Sequence, residues 1–205
     1  MAGQRRLAVH APALRAAPRL RQGTPASLAN HVAMNPSVTG DRRRAATARE
    51  IPVAHTPAGG YGDTFPAPVL SRCTEPLVPG APDLRGVWRV TEVEVNGITD
   101  PDHPVNGHLQ RIEQCGDRLV VTAAGVIHDM RCDGTEANGV HDVAEFDKAT
   151  PIVVIASYED GVHVLRPVGL DIEVTRRRDG DDMVWQYLGF TARLTRQGEA
   201  PSRPR

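Results

Sequence analysis

Short apolar stretches separated by tight-turn sequences fill the chain from Leu84 to Arg196. The turns carry glycine or an Asx residue, which tolerate the positive φ that tight hairpins need. They are Asn96-Gly97, Gly116-Asp117, Ala124-Gly125, Asp133-Gly134, Asn138-Gly139, Asp160-Gly161 and Asp179-Gly180. The strands expected between them span 86–95, 108–115, 118–124, 126–132, 139–146, 152–158, 161–167, 170–178, 182–188 and 189–196. This pattern predicts an all-β fold, an antiparallel up-and-down barrel of eight to ten strands.

Alternation within the strands assigns side chains to the barrel interior. Arg111 and Glu113 share one face of their strand, and Asp129 and Arg131 share one face of theirs. Because successive side chains of a strand point to opposite faces, placing these charges in water turns the other set inward. That inward set is Gln110, Ile112, Gln114, Val126, His128 and Met130.

The later strands are patterned less evenly. Outward charges at Glu173 and Arg177 leave Ile172 and Val174 inside. For the strand at 182–188, periodicity does not choose which set faces the interior. The two alternatives are Met183, Trp185 and Tyr187, or Val184, Gln186 and Leu188.

Prolines interrupt residues 51–83 and exclude a helix or a central strand there. The apolar residues of this segment indicate an arm packed on the barrel, either a lid across one mouth or a strap over an outer apolar patch. The stretch from Ile152 to Ala156 is apolar on both faces. Its outer face is therefore expected to be covered, by the arm or by a second copy of the chain in a homodimer.

The segment at 1–50 is rich in alanine, arginine and proline, with no acidic residue before Asp41. It is expected to be a disordered tail, because it cannot bury enough apolar surface to fold. An arginine-rich start also resembles an organelle transit peptide, and an over-extended start with Met34 as the true first residue is the alternative. The barrel domain is expected at 84–197 and a flexible tail at 198–205.

Charge and cysteine content limit the partners that can be expected. A formal net charge of −1 gives no general attraction to nucleic acid or acidic membranes. Prolines and arginines interrupt the apolar residues of 7–20, so neither a signal peptide nor a membrane helix is expected. Cys73, Cys115 and Cys132 are odd in number and lack C-x-x-C spacing, which argues against a disulfide framework and a zinc ribbon. We therefore expect a cytoplasmic protein with no metal.

A family resemblance follows from three features of the barrel segment: Gly86 and Trp88 as a G-x-W at the start of the first strand, the hairpin meander, and Arg193 or Arg196 on the last strand. Together they resemble the calycin superfamily, the lipocalins and their relatives, over residues 84–197. The resemblance implies that the tryptophan closes the barrel floor and that the arginine packs over it. In organisation the chain is similar to the small bacterial β-barrel cyclases of spirotetronate and spirotetramate polyketide pathways. Those enzymes fold a linear polyene for an intramolecular 4+2 cycloaddition.

The register after Trp88 decides what the interior can do chemically. If the pleat continues, Glu92 and Glu94 line the wall, and burial would raise the pKa of Glu92 into a range suited to proton transfer. If a β-bulge follows Trp88, both carboxylates face solvent and Val93 and Val95 face inward. Both registers are compatible with the sequence.

Other polar residues complete the expected site. His128, a catalytic group or a hydrogen-bonded core histidine, could pair with Asp142, which would share a face with Ala144 and Phe146. Glutamine side chains could donate hydrogen bonds to a carbonyl or enolate oxygen of a ligand. Aromatic side chains could form flat apolar walls of the cavity or belong to the hydrophobic core without contacting a ligand. The candidate catalytic residues are Glu92, Gln110, His128 and Asp142, and the candidate substrate-binding residues are Gln114, Met130, Tyr158, Trp185 and Tyr187.

These observations predict a barrel that enfolds a hydrophobic, polyketide-like molecule without a cofactor. The chain lacks a G-x-S-x-G elbow, a glycine-rich phosphate loop and a catalytic cysteine context, so hydrolase and nucleotide chemistry are disfavoured. The expected activity is a cyclisation or isomerisation. A non-catalytic carrier or sensor of a hydrophobic metabolite is the alternative, and a filled barrel that serves as an interaction module is a third.

Overall fold

Eleven antiparallel strands form the fold in the computed structural model, which describes residues 45–198. They are β1 (Gly86–Val95), β2 (Ile98–Thr99), β3 (Leu109–Cys115), β4 (Arg118–Ala123), β5 (Val126–Arg131), β6 (Val140–Val143), β7 (Pro151–Glu159), β8 (Val162–Pro167), β9 (Val174–Asp179), β10 (Asp182–Tyr187) and β11 (Phe190–Gln197). Within these residues no helix is long and apolar enough to cross a membrane. The tail predicted at 1–50 lies largely outside the described residues, as does all of 198–205 except Gly198.

The strands pair in the order β5-β4-β3-β1-β11-β10-β9-β8-β7-β6, with the short β2 paired to β1 alone. The pairing of β1 with β11 joins the two ends of the meander. Beside the remaining seam, between β5 and β6, the N–H of Arg131 donates to the carbonyl of Asn138 at 2.8 Å. The result is a nearly closed up-and-down barrel, which confirms the predicted fold class.

The interior contains the side chains that alternation assigned to it on β3 and β5. Gln110, Ile112, Gln114, Val126, His128 and Met130 are all buried. On β10 the structure chooses the set of Met183, Trp185 and Tyr187: the first two are fully buried, whereas Gln186 is exposed. The predicted strand at 139–146 ends at Val143, and the residues after it form turns.

The proline-rich arm is a strap on the outside of the barrel. Its Leu70 packs against Cys115, Val120 and Ile127, on the outer face of β3, β4 and β5. The strap covers the outward charges on those strands, so Asp129 is 5 % exposed, and the expectation that these charges lie in water was wrong. The apolar contacts of the strap are with β3, β4 and β5 rather than with β7. The strap therefore does not form the outer cover that the sequence pattern predicted for 152–156.

The strap is tied to the barrel by a buried ion pair. The Arg118 guanidinium donates to both carboxylate oxygens of Asp129, at 2.8 and 2.6 Å. It also donates to the carbonyls of Ala48, Ile51 and Pro52. The contacts of the strap therefore begin before residue 51, where the sequence pattern placed its start.

A disulfide joins the strap to β3 through Cys73 and Cys115. The expectation that the cysteines form no disulfide was wrong, because a 42-residue separation in sequence becomes a direct contact once the strap lies on β3. Cys132 is a buried free thiol, and burial raises its pKa to about 12.

Trp88 is fully buried near one end of the barrel, which we call the floor. Its indole N–H donates to the carbonyl of Leu84 at 2.7 Å, and Arg196 lies over its ring. Arg193, the other arginine considered for this position, instead pairs with Asp179 and Asp182 on the outer surface. This arrangement is compatible with a calycin-like fold.

Candidate functional site

A row of interior side chains runs across four neighbouring strands of the barrel. Trp185 on β10 lies beside Arg176 on β9, which lies beside His163 on β8, which lies beside Tyr158 on β7. The three residues Trp185, Arg176 and His163 are at most 2 % exposed. Gln110 extends from β3 on the other side of the barrel to meet them.

Arg176 is the centre of this row. Its Nε donates to Oε1 of Gln110 at 3.1 Å, and its guanidinium carbon lies 5.3 Å from the centroid of the Trp185 ring. Burial lowers the pKa of Arg176, and the charge of Glu145 opposes that shift. The guanidinium still remains charged, because arginine does not lose its proton in proteins. Among the described residues, the η1 nitrogen has no hydrogen-bond partner.

His163 is an uncharged imidazole in the same row. Burial lowers its pKa to about 3, and the neighbouring Arg176 charge adds to the effect. Neither ring nitrogen has a hydrogen-bond partner within residues 45–198. In the same part of the chain, Nε2 of Gln110 and Nε1 of Trp185 also lack partners. Four adjacent buried side chains therefore carry unpartnered polar atoms in this part of the interior.

The polar residues closer to the floor are satisfied by their surroundings. Gln114 accepts a hydrogen bond from the N–H of Leu84 at 2.7 Å and donates to the carbonyl of Pro82 at 3.0 Å. Its Nε2 also donates to the hydroxyl of Tyr158 at 2.9 Å, and burial raises the pKa of that hydroxyl. Gln114 thus fastens the chain that enters β1. This group has a structural role.

Aromatic side chains surround the end opposite the floor, which we call the mouth. Phe190 stacks edge-on against Trp185, with ring centroids 5.2 Å apart, and lies 4.9 Å from the ring of His103. Tyr187 contacts Phe146, whose side chain is half exposed. Glu145, beside Phe146 in sequence, is buried, and its charge raises the pKa of Tyr187 after the larger effect of burial. A chain of side-chain contacts therefore runs from the half-exposed Phe146 through Tyr187 and Trp185 to Arg176.

Glu92 and Asp142, two of the candidate catalytic residues, are not in the interior. The register of β1 against β11 shifts between Val90 and Glu92, so a bulge turns Val93 inward and leaves Glu92 and Glu94 exposed. The prediction that an unbroken pleat places these carboxylates in the interior was wrong. The observed register is the alternative one, in which a bulge follows Trp88.

Asp142 is held by the strap. Its Oδ2 accepts a hydrogen bond from the N–H of Thr56 at 2.9 Å, and this bond helps to lower its pKa against the effect of burial. The predicted pairing with His128 is not formed, because Nε2 of His128 bonds the carbonyl of Val143 at 2.9 Å. Asp142 lines a groove of about 490 Å³ between the strap and the strands beside the seam.

The remaining predicted residues divide into three groups. Gln110, Trp185 and Tyr187 lie in or above the row at Arg176, whereas Gln114 and Tyr158 form the structural group near the floor. His128 and Met130 are buried on β5. The sequence pattern had not pointed to Arg176, His163 or Glu145 as functional residues. A signal existed for Arg176, because it has the same parity on β9 as Val174, which alternation placed inside. Glu145 lay within the strand predicted at 139–146, but the observed strand ends at Val143, so alternation gave no guide to its burial.

Metal ligands are clustered at one place within residues 45–198. Cys73, Glu75 and Cys115 bring ligand atoms within 4.8 Å of one another. The two cysteines are joined as a disulfide, which leaves no thiolate to bind a metal. The cluster therefore does not fit a metal site in this state.

Comparisons with protein-family models and with curated proteins find no match to this chain.

Proposed function

We propose that this protein is a small-molecule-binding barrel that holds a hydrophobic, polyketide-like molecule in its interior. The observation that carries the proposal is the set of unpartnered polar atoms on Gln110, His163, Arg176 and Trp185. A buried polar group without a partner costs about 1–3 kcal/mol, so a bound molecule with matching groups would recover that free energy. Such a combination of apolar walls and a few polar groups is typical of small-molecule sites.

The aromatic mouth supports the same function. Phe146 and Leu188 are exposed apolar residues, and both lie on turns at this end of the barrel. A hydrophobic molecule entering here would meet the rings of Tyr187 and Phe190 before it reached Arg176. Trp88 is fully buried at the floor, so the mouth is the proposed route of entry.

A second candidate function is a cofactor-independent cyclase or isomerase. With Glu92 and Asp142 outside the interior, this activity would not rest on interior carboxylates. A pericyclic cyclisation requires none, because it needs the substrate folded so that its reacting carbons meet, and such restriction can contribute roughly 7–11 kcal/mol. The donors of Arg176 and Gln110 favour this candidate, since they would polarise a carbonyl conjugated to the reacting double bond. A carrier would bind the same molecule unchanged.

The binding proposal can be tested with Nile red, a neutral dye that carries a carbonyl acceptor. We expect saturable fluorescence enhancement with one dye per chain. The Gln110→Leu variant removes an interior donor and should weaken binding about threefold or more, whereas the Glu92→Gln variant should bind as the unmodified protein does. Native mass spectrometry of the freshly purified protein should in addition show a bound mass that denaturation releases.

The proposal fails if Nile red shows no saturable binding, or if Glu92→Gln weakens binding as much as Gln110→Leu does. The catalytic candidate needs its own measurement. A linear polyene bearing a carbonyl-activated double bond should cyclise faster with the protein than in buffer. If the polyene binds but cyclises at the same rate, the protein is a carrier and the catalytic candidate fails.

A further inference from the structure

We infer that the interior site selects a hydrophobic molecule carrying a single anionic oxygen group, a carboxylate or an enolate, and that Arg176 binds this group. The inference rests on the proposed function, because it names the ligand class of the same site. It is carried by the position, the charge and the hydrogen-bonding state of Arg176.

The charge of Arg176 lacks a close counterion. Within residues 45–198 it forms no ion pair with a carboxylate within 4.0 Å, and Glu145 acts on it only at longer range. A buried charge is costly unless it is paired and hydrogen-bonded. An anionic group on the ligand would supply that pairing.

Arg118 is a buried arginine with a structural role, and it shows how many hydrogen bonds this chain provides to such a guanidinium. It is 3 % exposed, and Arg176 is 2 % exposed. Arg118 makes two bonds to Asp129 and three to strap carbonyls, whereas Arg176 makes one side-chain bond, to the neutral Gln110. The two arginines are about equally buried, but Arg118 has many more hydrogen-bond partners for its guanidinium than Arg176 has. Arg176 is therefore the one with unused hydrogen-bonding groups that a ligand would fill.

The polar atoms around Arg176 are mainly donors. Because Oε1 of Gln110 already accepts from Nε of Arg176, its unpartnered Nε2 is a donor, and so is Nε1 of Trp185. His163 is neutral and offers one further ring N–H. Together with the η1 nitrogen of Arg176, these groups match the several lone pairs of a carboxylate or enolate better than a neutral hydroxyl.

The charges in and beside the row favour a bound group with one negative charge rather than two. Arg176 is the single cation in the row, since His163 is neutral there. Glu145 lies close enough for its charge to act on Arg176, and it repels any anion bound there, a dianion more strongly than a monoanion. A phosphate group, which carries nearly two charges at neutral pH, is therefore a poor fit.

The test compares 11-(dansylamino)undecanoic acid with its methyl ester, which have the same fluorophore and chain. We expect the unmodified protein to bind the acid at least about tenfold more tightly than the ester, as the loss of a hydrogen bond to a charged group predicts. Arg176→Met should reduce acid binding to the level of ester binding. Arg193→Met removes an exposed arginine with the same change in net charge, and it should preserve the preference.

The comparison in the unmodified protein decides the inference without any variant. Equal binding of acid and ester would overturn it and leave the proposed function standing, whereas saturable binding of neither compound would count against the proposed function itself. If near-ultraviolet circular dichroism shows that Arg176→Met does not fold, Gln110→Leu provides the second variant. It should weaken acid binding more than ester binding, and equal weakening of both would contradict the role of this donor set.

Discussion

The guanidinium carbon of Arg196 lies 5.0 Å from the centroid of the Trp88 ring at the barrel floor. Its η2 nitrogen also donates to the carbonyl of Arg85 at 2.6 Å. Gly86 makes this approach possible, because a Cβ at that position would lie 3.3 Å from Nε of Arg196, and its φ of +136° disfavours a side chain. The G-x-W sequence and the last-strand arginine thus form one packing unit.

Replacing Arg196 with methionine should loosen the floor. The cation–π contact at a partly exposed site contributes about 0.5–1 kcal/mol, so we expect the free energy of unfolding to fall by about 1 kcal/mol. Urea denaturation measures this change. Arg193→Met, on the same strand but paired only with surface carboxylates, is the control and should cost less; an equal loss in both variants would contradict the stacking role.

Replacing Arg118 with methionine should loosen the part of the strap that precedes the disulfide. The change leaves Asp129 as a buried charge without its partner, and breaking such a pair costs about 3–5 kcal/mol. Denaturation should show that loss, and limited proteolysis should cut within 51–83 sooner than in the unmodified protein. The surface pair of Arg193 and Asp179 provides a matched control, since Asp179→Asn should cost no more than about 1 kcal/mol.

Reducing the disulfide should destabilise the protein without unfolding the barrel strands. Cys73 and Cys115 are separated by 42 positions, and closing a loop of that length contributes about 4 kcal/mol in the chain-entropy description. The doubly substituted Cys73→Ser, Cys115→Ser protein should show this loss in denaturation. Cys132→Ala, which removes the buried free thiol, should leave the response to reductant unchanged. A reductant response of the same size in the double variant would exclude the disulfide as its source.

Stability should depend on pH through His163. Its pKa is lowered to about 3 in the folded protein, while the unfolded chain titrates near 6.5. The unfolded state therefore binds more protons between these values, so the stabilising contribution is complete above pH 6.5 and is lost as the pH falls towards 3. The expected slope is about 1.4 kcal/mol per pH unit.

The variant His163→Leu should lack this part of the slope. Urea denaturation at roughly pH 7, 5.5 and 4 would measure it as the difference between the variant and the unmodified protein. His141 is exposed, so His141→Gln should retain the full slope. A slope that is unchanged in His163→Leu would show that another group is responsible.

The interior site could be predicted in part from the sequence. Alternation identified Gln110 because Arg111 and Glu113 fix the outward face of β3. The same rule points Arg176 inward beside Val174, yet a run of three arginines from Arg176 to Arg178 looks like a solvated strand. A buried arginine breaks the rule that charges face water, and only the structure shows that the barrel holds one.

Glu92 shows the limit of strand periodicity. One added residue in β1 shifts the register against β11 and reverses every later side chain. The bulge depends on how β1 fits between β3 and β11, so the sequence left both registers open. Asp142 shows a related limit, because its partner is Thr56 of the strap, 86 positions away in the chain.

The sequence by itself determined the antiparallel meander and the inward faces of β3 and β5. These features follow from local alternation and turn chemistry, which operate over a few residues. Tertiary structure alone decided the path of the strap, the disulfide and the isolation of Arg176 in the interior. Each of these depends on which distant surfaces meet, and burial of a charge is a property of those surroundings rather than of its own strand.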